Sequence, residues 1–327
     1  MDYELYEPKC VLLTGIAGFI GSNVAVYFVR KYPHINFIGL DCISYCSDVN
    51  NFIEINTAPN WKFYRCDLLD PDNLDQIFRE NQIDTIVHYA AFSHVDASFM
   101  NAIEFTRNNV LGTHFLLEHA KKYKIQRFIH VSTDEVYGSK DAISTEDSTL
   151  DPTNPYAATK TCAEYLVKSY YHSFKLPIII SRGNNVYGPK QFPEKIIPKF
   201  ILRLLSGRKC QIQGSGNQKR SFMHVDDVAT AFETLLFRGK IGEIYNIGST
   251  KEYMVLEVAE RLIKILKPGE DINSWIEFIE DRNFNDHRYF ISSQKLINLG
   301  WNQQIDFDTG LQMTLDWYQN HQNQWSI

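Results

Sequence analysis

Tyr156 and Lys160 stand four residues apart in a run introduced by Pro152-Thr153-Asn154-Pro155. On a helix that spacing stacks both side chains on one face. A phenol is a poor base at neutral pH, with a reference pKa of about 10. A nearby ammonium favours the phenolate and brings it toward working range. Such a phenolate can take the proton of an alcohol as hydride leaves the same carbon. By itself the spacing is common surface decoration, so its weight comes from its neighbours. A second reactive group lies upstream, in Val131-Ser132-Thr133-Asp134-Glu135-Val136-Tyr137-Gly138. Adjacent carboxyls in a loop are ordinarily solvated. Here the flanks are apolar and the run leaves a strand end, where open parallel sheets bind ligands. Neighbouring side chains diverge, so one can serve as acid and the other as base on different atoms of one substrate.

Both groups need an acceptor and a scaffold. Thr14-Gly15-Ile16-Ala17-Gly18-Phe19-Ile20-Gly21 lies between a β-rich run and an apolar helical run. Gly15, Gly18 and Gly21 allow a tight turn and close approach of peptide N–H groups to a pyrophosphate at a helix N-terminus. Asp41 ends the second strand about 20 residues beyond the last glycine, where a carboxylate accepts both ribose hydroxyls. A carboxylate there repels a 2′-phosphate, which favours NAD over NADP. Asp67, at the end of the third strand, is placed for the adenine edge.

The elements that position these groups alternate. Strand patterns at Lys9–Thr14, Asn36–Leu40, Trp61–Cys66, Thr85–Tyr89, Arg127–Val131 and Pro177–Ser181 are separated by helical patterns. The helical stretches are Asp72–Glu80, Ala102–Tyr123 and Tyr156–Phe174, after a first helix reaching about Lys31. This predicts an α/β fold, a Rossmann-type doubly wound parallel sheet. Residues 1–188 are expected to form it, with segments around 224–248 returning to it. Residues 189–327, where prolines punctuate the pattern and strands thin out, are expected to form a smaller C-terminal substrate-binding lobe.

Composition narrows the function class. With 44% apolar and 22% charged residues in 327, the chain reads as an ordinary globular enzyme. A formal charge of −6 gives no basic field for nucleic acid, so an anionic ligand must be held by local donors. Cys10–Val29 is apolar, but its glycines, Ser22 and Asn23 fit strand, turn and helix better than a membrane span. The six cysteines show no metal-ligand spacing; buried or half-buried thiols of a reducing compartment are expected. No metal site and no cleavable leader are read, and the expected location is cytoplasmic. His94, His114, His130, His172 and His224 are scattered, and only His94 falls in a candidate site loop. Lys121, Lys122 and Lys124 read as a solvated helix end.

Taken together, Thr133-Asp134-Glu135-Val136-Tyr137-Gly138, Tyr156-Ala157-Ala158-Thr159-Lys160 and the glycine turn resemble the nucleoside-diphosphate-glucose 4,6-dehydratases. These belong to the extended short-chain dehydrogenases. Further matches are Ser93-His94-Val95-Asp96, Asn109-Val110-Leu111-Gly112-Thr113, Arg182 to Pro189, Phe192-Pro193-Glu194-Lys195 and Asp281 to Tyr289. The resemblance runs from about Lys9 to Tyr318. It implies that Tyr156, with Thr133, deprotonates the sugar 4-hydroxyl, that Glu135 removes the C5 proton, and that Asp134 protonates the departing C6 hydroxyl. It also implies NAD contacts from Phe19, Ile20, Ser44, Leu68, Ala90, Ala91, Ser93 and Asn185, besides the glycines, Asp41, Asp67, Tyr156 and Lys160. Substrate contacts implied are Ser93, His94, Thr133, Asn185, Lys195, Ile196, Arg220, Arg282, Asn285 and Tyr289. The family implies homodimers, packed through helices such as the one carrying Tyr165, Tyr170, Tyr171 and Phe174. Arg182-Gly183-Asn184-Asn185-Val186-Tyr187-Gly188 is closer to the UDP-glucose enzymes of rhamnose synthesis, which favours UDP-glucose, with dTDP-glucose second. Ile16, Phe92 and Asn283 depart from the family pattern. Two other readings compete: a sugar-nucleotide 4-epimerase or decarboxylase, which needs Tyr156 and Lys160 but not the carboxyl pair, and a catalytically inactive NAD-binding sensor.

Overall fold

Cys10-Val11-Leu12-Leu13-Thr14 is buried along its whole length, and a strand with no solvent face belongs inside a sheet covered on both sides. In the computed structural model, which describes residues 5–281 and 286–324, this run is β1 (Cys10–Thr14). It is followed by α1 (Phe19–Lys31), β2 (Asn36–Asp41), β3 (Trp61–Arg65), α2 (Pro71–Asn81) and β4 (Thr85–His88). Next come α3 (Val95–Met100), α4 (Ala102–Phe105), α5 (Gly112–Lys122), β5 (Arg127–Thr133), α6 (Pro155–Phe174) and β6 (Ile178–Gly183). The second half holds β7 (Asn185–Tyr187), α7 (Ile196–Leu205), β8 (Cys210–Gln213), β9 (Lys219–His224), α8 (Val225–Arg238), β10 (Ile244–Ile247) and β11 (Glu252–Met254). The last elements are α9 (Val255–Leu266), β12 (Ile276–Ile279), β13 (Arg288–Tyr289), α10 (Gln294–Ile297) and α11 (Phe307–Asn320).

Seven strands form one parallel sheet in the order β3-β2-β1-β4-β5-β6-β10. Successive side chains of each strand go to opposite faces. Val11, Leu13, Val87, Ile129 and Ile179 join the core with α1 and α8. Leu12, Ile38, Ile86, Phe128 and Ile178 join the core with α2, α5 and α6. The chain winds outward in both directions from the β1–β4 junction, which opens a crevice at the strands' C-terminal ends. This is the Rossmann-type sheet that the alternating pattern predicts. No helix among the described residues is long and apolar enough to cross a membrane.

A second layer covers that crevice. β9 pairs with β7 and β13 in parallel and with β11 antiparallel, and β8 pairs with β12. Beneath them α7, α9 and α11 share a separate apolar cluster. The sequence by itself shows strand patterns at Cys210–Gln213, Glu243–Ile247 and Trp275–Ile279, which match β8, β10 and β12, but none for β7, β9, β11 or β13. Those strands are two to six residues long, and β9 shows no alternation of exposure.

Three local expectations are corrected. The helix expected over Ala102–Tyr123 is interrupted by a wide π turn at Thr106–Leu111. There the Asn109 amide donates to the Phe92 carbonyl at 3.0 Å and accepts from the Phe92 N–H at 2.8 Å. Its Nδ2 also donates to Thr159 Oγ1 on α6 at 3.0 Å, so the bulge aims one side chain at two other elements. Cys162 is exposed rather than buried or half-buried. Lys122 is more than solvated helix end, because it pairs with Asp75 and ties α5 to α2.

One buried ion pair fixes how α6 meets the sheet. Arg182 and Glu164 are 1% and 0% exposed, and the guanidinium donates Nη2–H to Glu164 Oε2 at 2.6 Å and Nε–H to Oε1 at 3.0 Å. Its Nη1 donates to the Tyr137 hydroxyl at 2.8 Å, which in turn donates to Asn246 Oδ1 at 2.8 Å. A single network therefore joins α6, β6, the turn after β5, and β10. Glu164→Leu strands a guanidinium in the core and should cost about 3–5 kcal/mol. Glu164→Leu/Arg182→Met should recover most of that loss in denaturant titrations. A double variant as unstable as the single one would show that the pair is not the source of the cost.

Candidate active site

The glycine turn closes only without side chains at two of its positions. Gly15 has φ +71°, and a Cβ there would lie 2.7 Å from Ala90 Cα on the neighbouring strand end. A Cβ on Gly21 would lie 2.3 Å from the Gly15 carbonyl oxygen. Ile16, the departure from the family pattern, is buried in the core below α1 and leaves these approaches undisturbed. Gly18 is the N-cap of α1 and supplies no capping side chain, so the first-turn N–H groups remain available. Gly15, Gly18, Phe19, Ile20 and Gly21 border a cavity of about 450 Å³ at the strands' C-terminal ends, of the size small-molecule sites have.

Asp41 reaches the same cavity, 5% exposed. Its Oδ2 accepts from the Ala17 N–H at 2.9 Å, and its Oδ1 accepts from the Ile43 N–H at 2.8 Å and Ser47 Oγ at 3.2 Å. Asp67 Oδ1 accepts from the Leu69 N–H at 2.9 Å. Asp67 lines the cavity, as do Ser44, Leu68, Ala90, Ala91 and Ser93. An uncapped helix start for a pyrophosphate, with a fixed carboxylate at the next strand end, fits a dinucleotide cradle.

Thr133 is the last residue of β5, and Asp134–Tyr137 turns tightly after it, with Thr133 Oγ1 accepting from the Glu135 N–H at 3.3 Å. The two carboxyls diverge as their adjacency predicts. Asp134 Oδ2 accepts from Asn184 Nδ2 at 2.6 Å, and Glu135 Oε2 accepts from Asn154 Nδ2 at 3.0 Å. Asn154 is also the N-cap of α6, its Oδ1 accepting from the Ala157 N–H at 2.8 Å. Thus the residue that starts the Tyr156 helix also holds Glu135. Thr133, Asp134, Glu135, Tyr156, Lys160 and Asn185 all border the cavity.

The electrostatics differ from the simple tyrosine–lysine expectation. Lys160 Nζ donates to the Val131 carbonyl at 2.7 Å, and burial pushes its pKa down to about 8 against the pull of Glu164. Tyr156 is pushed up by burial and by the charges of Glu135 and Asp134, with a hydrogen bond to Thr133 opposing. Burial first, and then the carboxyls rather than the lysine, decide the phenol's charge. Burial, reinforced by Glu135, raises Asp134 to about 7, while Asn184, Arg220 and Thr133 work in the other direction. Burial also raises Glu135, opposed by Asn154, Lys195 and Arg220. A carboxyl near 7 is suited to proton donation at neutral pH.

At the far end of the cavity, Lys195 Nζ donates to the Ser93 carbonyl at 2.9 Å, and Ile196 begins α7 beside it. Arg220 Nη2 donates to the Asp286 carbonyl at 2.8 Å, and its guanidinium lies 5.0 Å from the Tyr289 ring centroid. Tyr289 donates its hydroxyl to the Asp286 carboxylate, which also accepts from Thr153 Oγ1 at 2.8 and 2.9 Å. His94 Nδ1 is 3.5 Å from Glu194 Oε2. Arg282 and Asn285 lie outside the described residues. His130 is packed 5.5 Å from His88, and burial keeps both rings neutral.

Of three asparagines that the sequence reading assigned no catalytic part, Asn154 and Asn184 hold the carboxyl pair, and Asn109 ties the helix that carries Tyr156 through Thr159. Asn154 had a local signal, since it precedes Pro155 at a helix start. Asn109 and Asn184 reach partners 50 residues away in sequence, which no local pattern encodes.

Comparison with known proteins places the chain in a family. A family model described as GDP-mannose 4,6 dehydratase matches residues 12–314. A dTDP-D-glucose 4,6-dehydratase of Dictyostelium discoideum is 45% identical over 98% of this chain and 84% of its own length. A trifunctional UDP-glucose 4,6-dehydratase, 3,5-epimerase and reductase of Arabidopsis thaliana is 48% identical over 99% of this chain, which spans only 49% of that protein. The crystal structure of DesIV, a dTDP-glucose 4,6-dehydratase of Streptomyces venezuelae with NAD bound, superposes with a TM-score of 0.92 at 37% identity. It covers 97% of this chain and 99% of DesIV. Epimerase structures superpose too, among them a UDP-glucose 4-epimerase of Thermotoga maritima, with a TM-score of 0.88 at 26% identity over 96% of this chain and 99% of that one. The family model spans most of the chain and the Dictyostelium relative aligns along nearly all of it, so the chain belongs to the nucleoside-diphosphate-sugar 4,6-dehydratases of the extended short-chain dehydrogenase family.

Proposed function

We propose that this protein is an NAD-dependent hydro-lyase that converts a nucleoside-diphosphate-glucose, UDP-glucose before dTDP-glucose, into its 4-keto-6-deoxy derivative. The observation that carries the reading is the placement of Asp134 and Glu135. Asp134 is buried and Glu135 half-buried, each is held by a different asparagine, and both border one cavity with Tyr156. A 4-epimerase needs the phenol and the lysine but has no use for a second acid and base. UDP-glucose is favoured by the Arg182 to Gly188 run; uracil and thymine differ by one methyl, worth only about 0.8 kcal/mol.

NAD, when bound along Gly15–Gly21, Asp41 and Lys160, supplies a hydride acceptor at C4 of the hexose and later the donor to C6. The chain's own residues move the protons. Tyr156 Oη takes the proton of the 4-hydroxyl, which Thr133 Oγ1 orients. The resulting ketone acidifies the C5 proton, which the Glu135 carboxylate removes. Asp134 gives its proton to the C6 oxygen as that leaves as water, and C5 is reprotonated afterwards. Lys195 and Arg220 supply charge-assisted donors for the diphosphate that the overall charge of −6 does not. A homodimer through the helices around α6 belongs to this reading; Tyr165 and Phe174 on that helix are exposed while Tyr170 is buried.

Incubation with UDP-glucose and, separately, dTDP-glucose should give a product lighter by one water, without lasting NADH absorbance. An epimeric product of unchanged mass would replace this reading with the epimerase one. Glu135→Gln should abolish water loss while allowing slow, transient NADH formation; dehydration at the parent rate would remove Glu135 from its role.

Water loss needs Asp134 protonated and Glu135 ionised, so kcat/KM should trace a bell against pH. Activity should fall on the alkaline side as Asp134 titrates near pH 7. Asp134→Asn should flatten that alkaline limb and lower kcat by roughly a hundredfold. An unchanged limb would assign it to another group.

A further inference from the structure

We infer that Asn184 is a positioning residue for Asp134, confining the acidic proton to Oδ1, the carboxyl oxygen shared with Thr133. The inference rests on the dehydratase reading for its catalytic meaning but not for its geometry. Asn184 follows β6, is 6% exposed, and its backbone N–H is tied to the Ile247 carbonyl at 3.0 Å. Its side chain is held from both ends. Nδ2 donates to Asp134 Oδ2 at 2.6 Å, while Oδ1 accepts from the Ser249 N–H at 3.1 Å. Turning the amide over would set an oxygen against a carboxylate oxygen and an N–H against an N–H, so only one orientation satisfies both neighbours.

The clamp continues behind the asparagine. The Gly248 N–H donates to Ser293 Oγ at 2.7 Å, and that hydroxyl donates back to the Gly248 carbonyl at 2.9 Å, which fixes the loop carrying Ser249. A Cβ on Gly248 would lie 2.4 Å from Asn184 Oδ1, so glycine is what allows the amide to sit there. With Oδ2 taken by a fixed N–H donor, a proton on that oxygen would give up a short hydrogen bond in a buried site. Oδ1 has no such obligation. Its partner, Thr133 Oγ1 at 3.3 Å, is a hydroxyl that can donate to the ionised oxygen or accept from the protonated one. The proton therefore sits on the oxygen beside Thr133, whose hydroxyl also bonds Tyr156.

The sign of the effect follows. An N–H donor favours the ionised carboxyl, so Asn184 holds Asp134 below the value that burial and Glu135 would otherwise impose. Its loss should raise Asp134 and free the proton to occupy either oxygen.

The test compares the NAD-loaded parent with Asn184→Ala, Asn184→Ser and Gly248→Ala, the last crowding the amide from behind without lining the cavity. Carboxyl carbon NMR, with Asp134 assigned from the spectrum missing in Asp134→Asn, reads the titration directly and requires no turnover. The midpoint should rise by about one pH unit in Asn184→Ala and Gly248→Ala, as expected for losing a hydrogen bond to a charged group. With whichever of UDP-glucose or dTDP-glucose the parent dehydrates, the alkaline limb should move upward alongside it. Water loss should fall about tenfold or more while the transient NADH band grows. A uniform loss of rate with an unmoved midpoint and limb would mark Asn184 as merely structural and overturn the inference. Should Asn184→Ala fail to fold, Asn184→Ser and Gly248→Ala decide by the same criteria. A raised NMR midpoint in a protein that dehydrates neither nucleotide would keep the clamp and discard the dehydratase reading.

Discussion

Two carboxyl groups on consecutive residues, Asp134 buried and Glu135 half-buried, sit beside a buried phenol, and much of the surrounding architecture answers to that constraint. Removing a carboxylate from water costs several kcal/mol unless donors replace its hydration. Asp134 and Glu135 repel each other as well, so a single donor between them would not serve. The chain supplies two, from opposite sides: Asn184 from the end of β6 and Asn154 from the start of α6. Both donors are anchored again at their far ends, one on the backbone after β10 and one as a helix cap. The site is thus a place where β5, β6, β10 and α6 must all arrive in register.

The Arg182–Glu164 pair acts on the same geometry from below. It joins α6 to β6 and, through Tyr137 and Asn246, to the acidic turn and β10. A buried ion pair is weak evidence for stability, but it admits few alternative arrangements once formed. Its position explains how a helix packed mainly through small and apolar residues can hold Tyr156 at a fixed distance from a loop. The π turn at Asn109 adds a third tie, to Thr159 on the face of α6 that carries the reactive pair.

Local charge also sets the protonation states that these groups share. Lys160 donates to a backbone carbonyl, and the phenol is raised first by its burial and then by the carboxyls. Each carboxyl that is neutral makes the phenolate easier to form. With Asp134 raised to about 7, its protonation state bears on how readily the neighbouring phenol ionises.

Much of this was legible in the chain itself. Alternation of β-branched runs with helical ones carries the parallel sheet, because buried parallel strands require continuous apolar stretches. The glycine spacing, Asp41, the Asp134-Glu135 pair and the Tyr156–Lys160 stack are local patterns, and local patterns survive in sequence. Tertiary structure alone decided which groups set the protonation states. Asn109, Asn184, Arg182 and Glu164 act through partners far along the chain, and the short strands β7, β9, β11 and β13 exist only by pairing across it. Pairing, burial and long-range hydrogen bonds arise from three-dimensional closure, so residue type and spacing identify the reactive groups while the fold sets their charge.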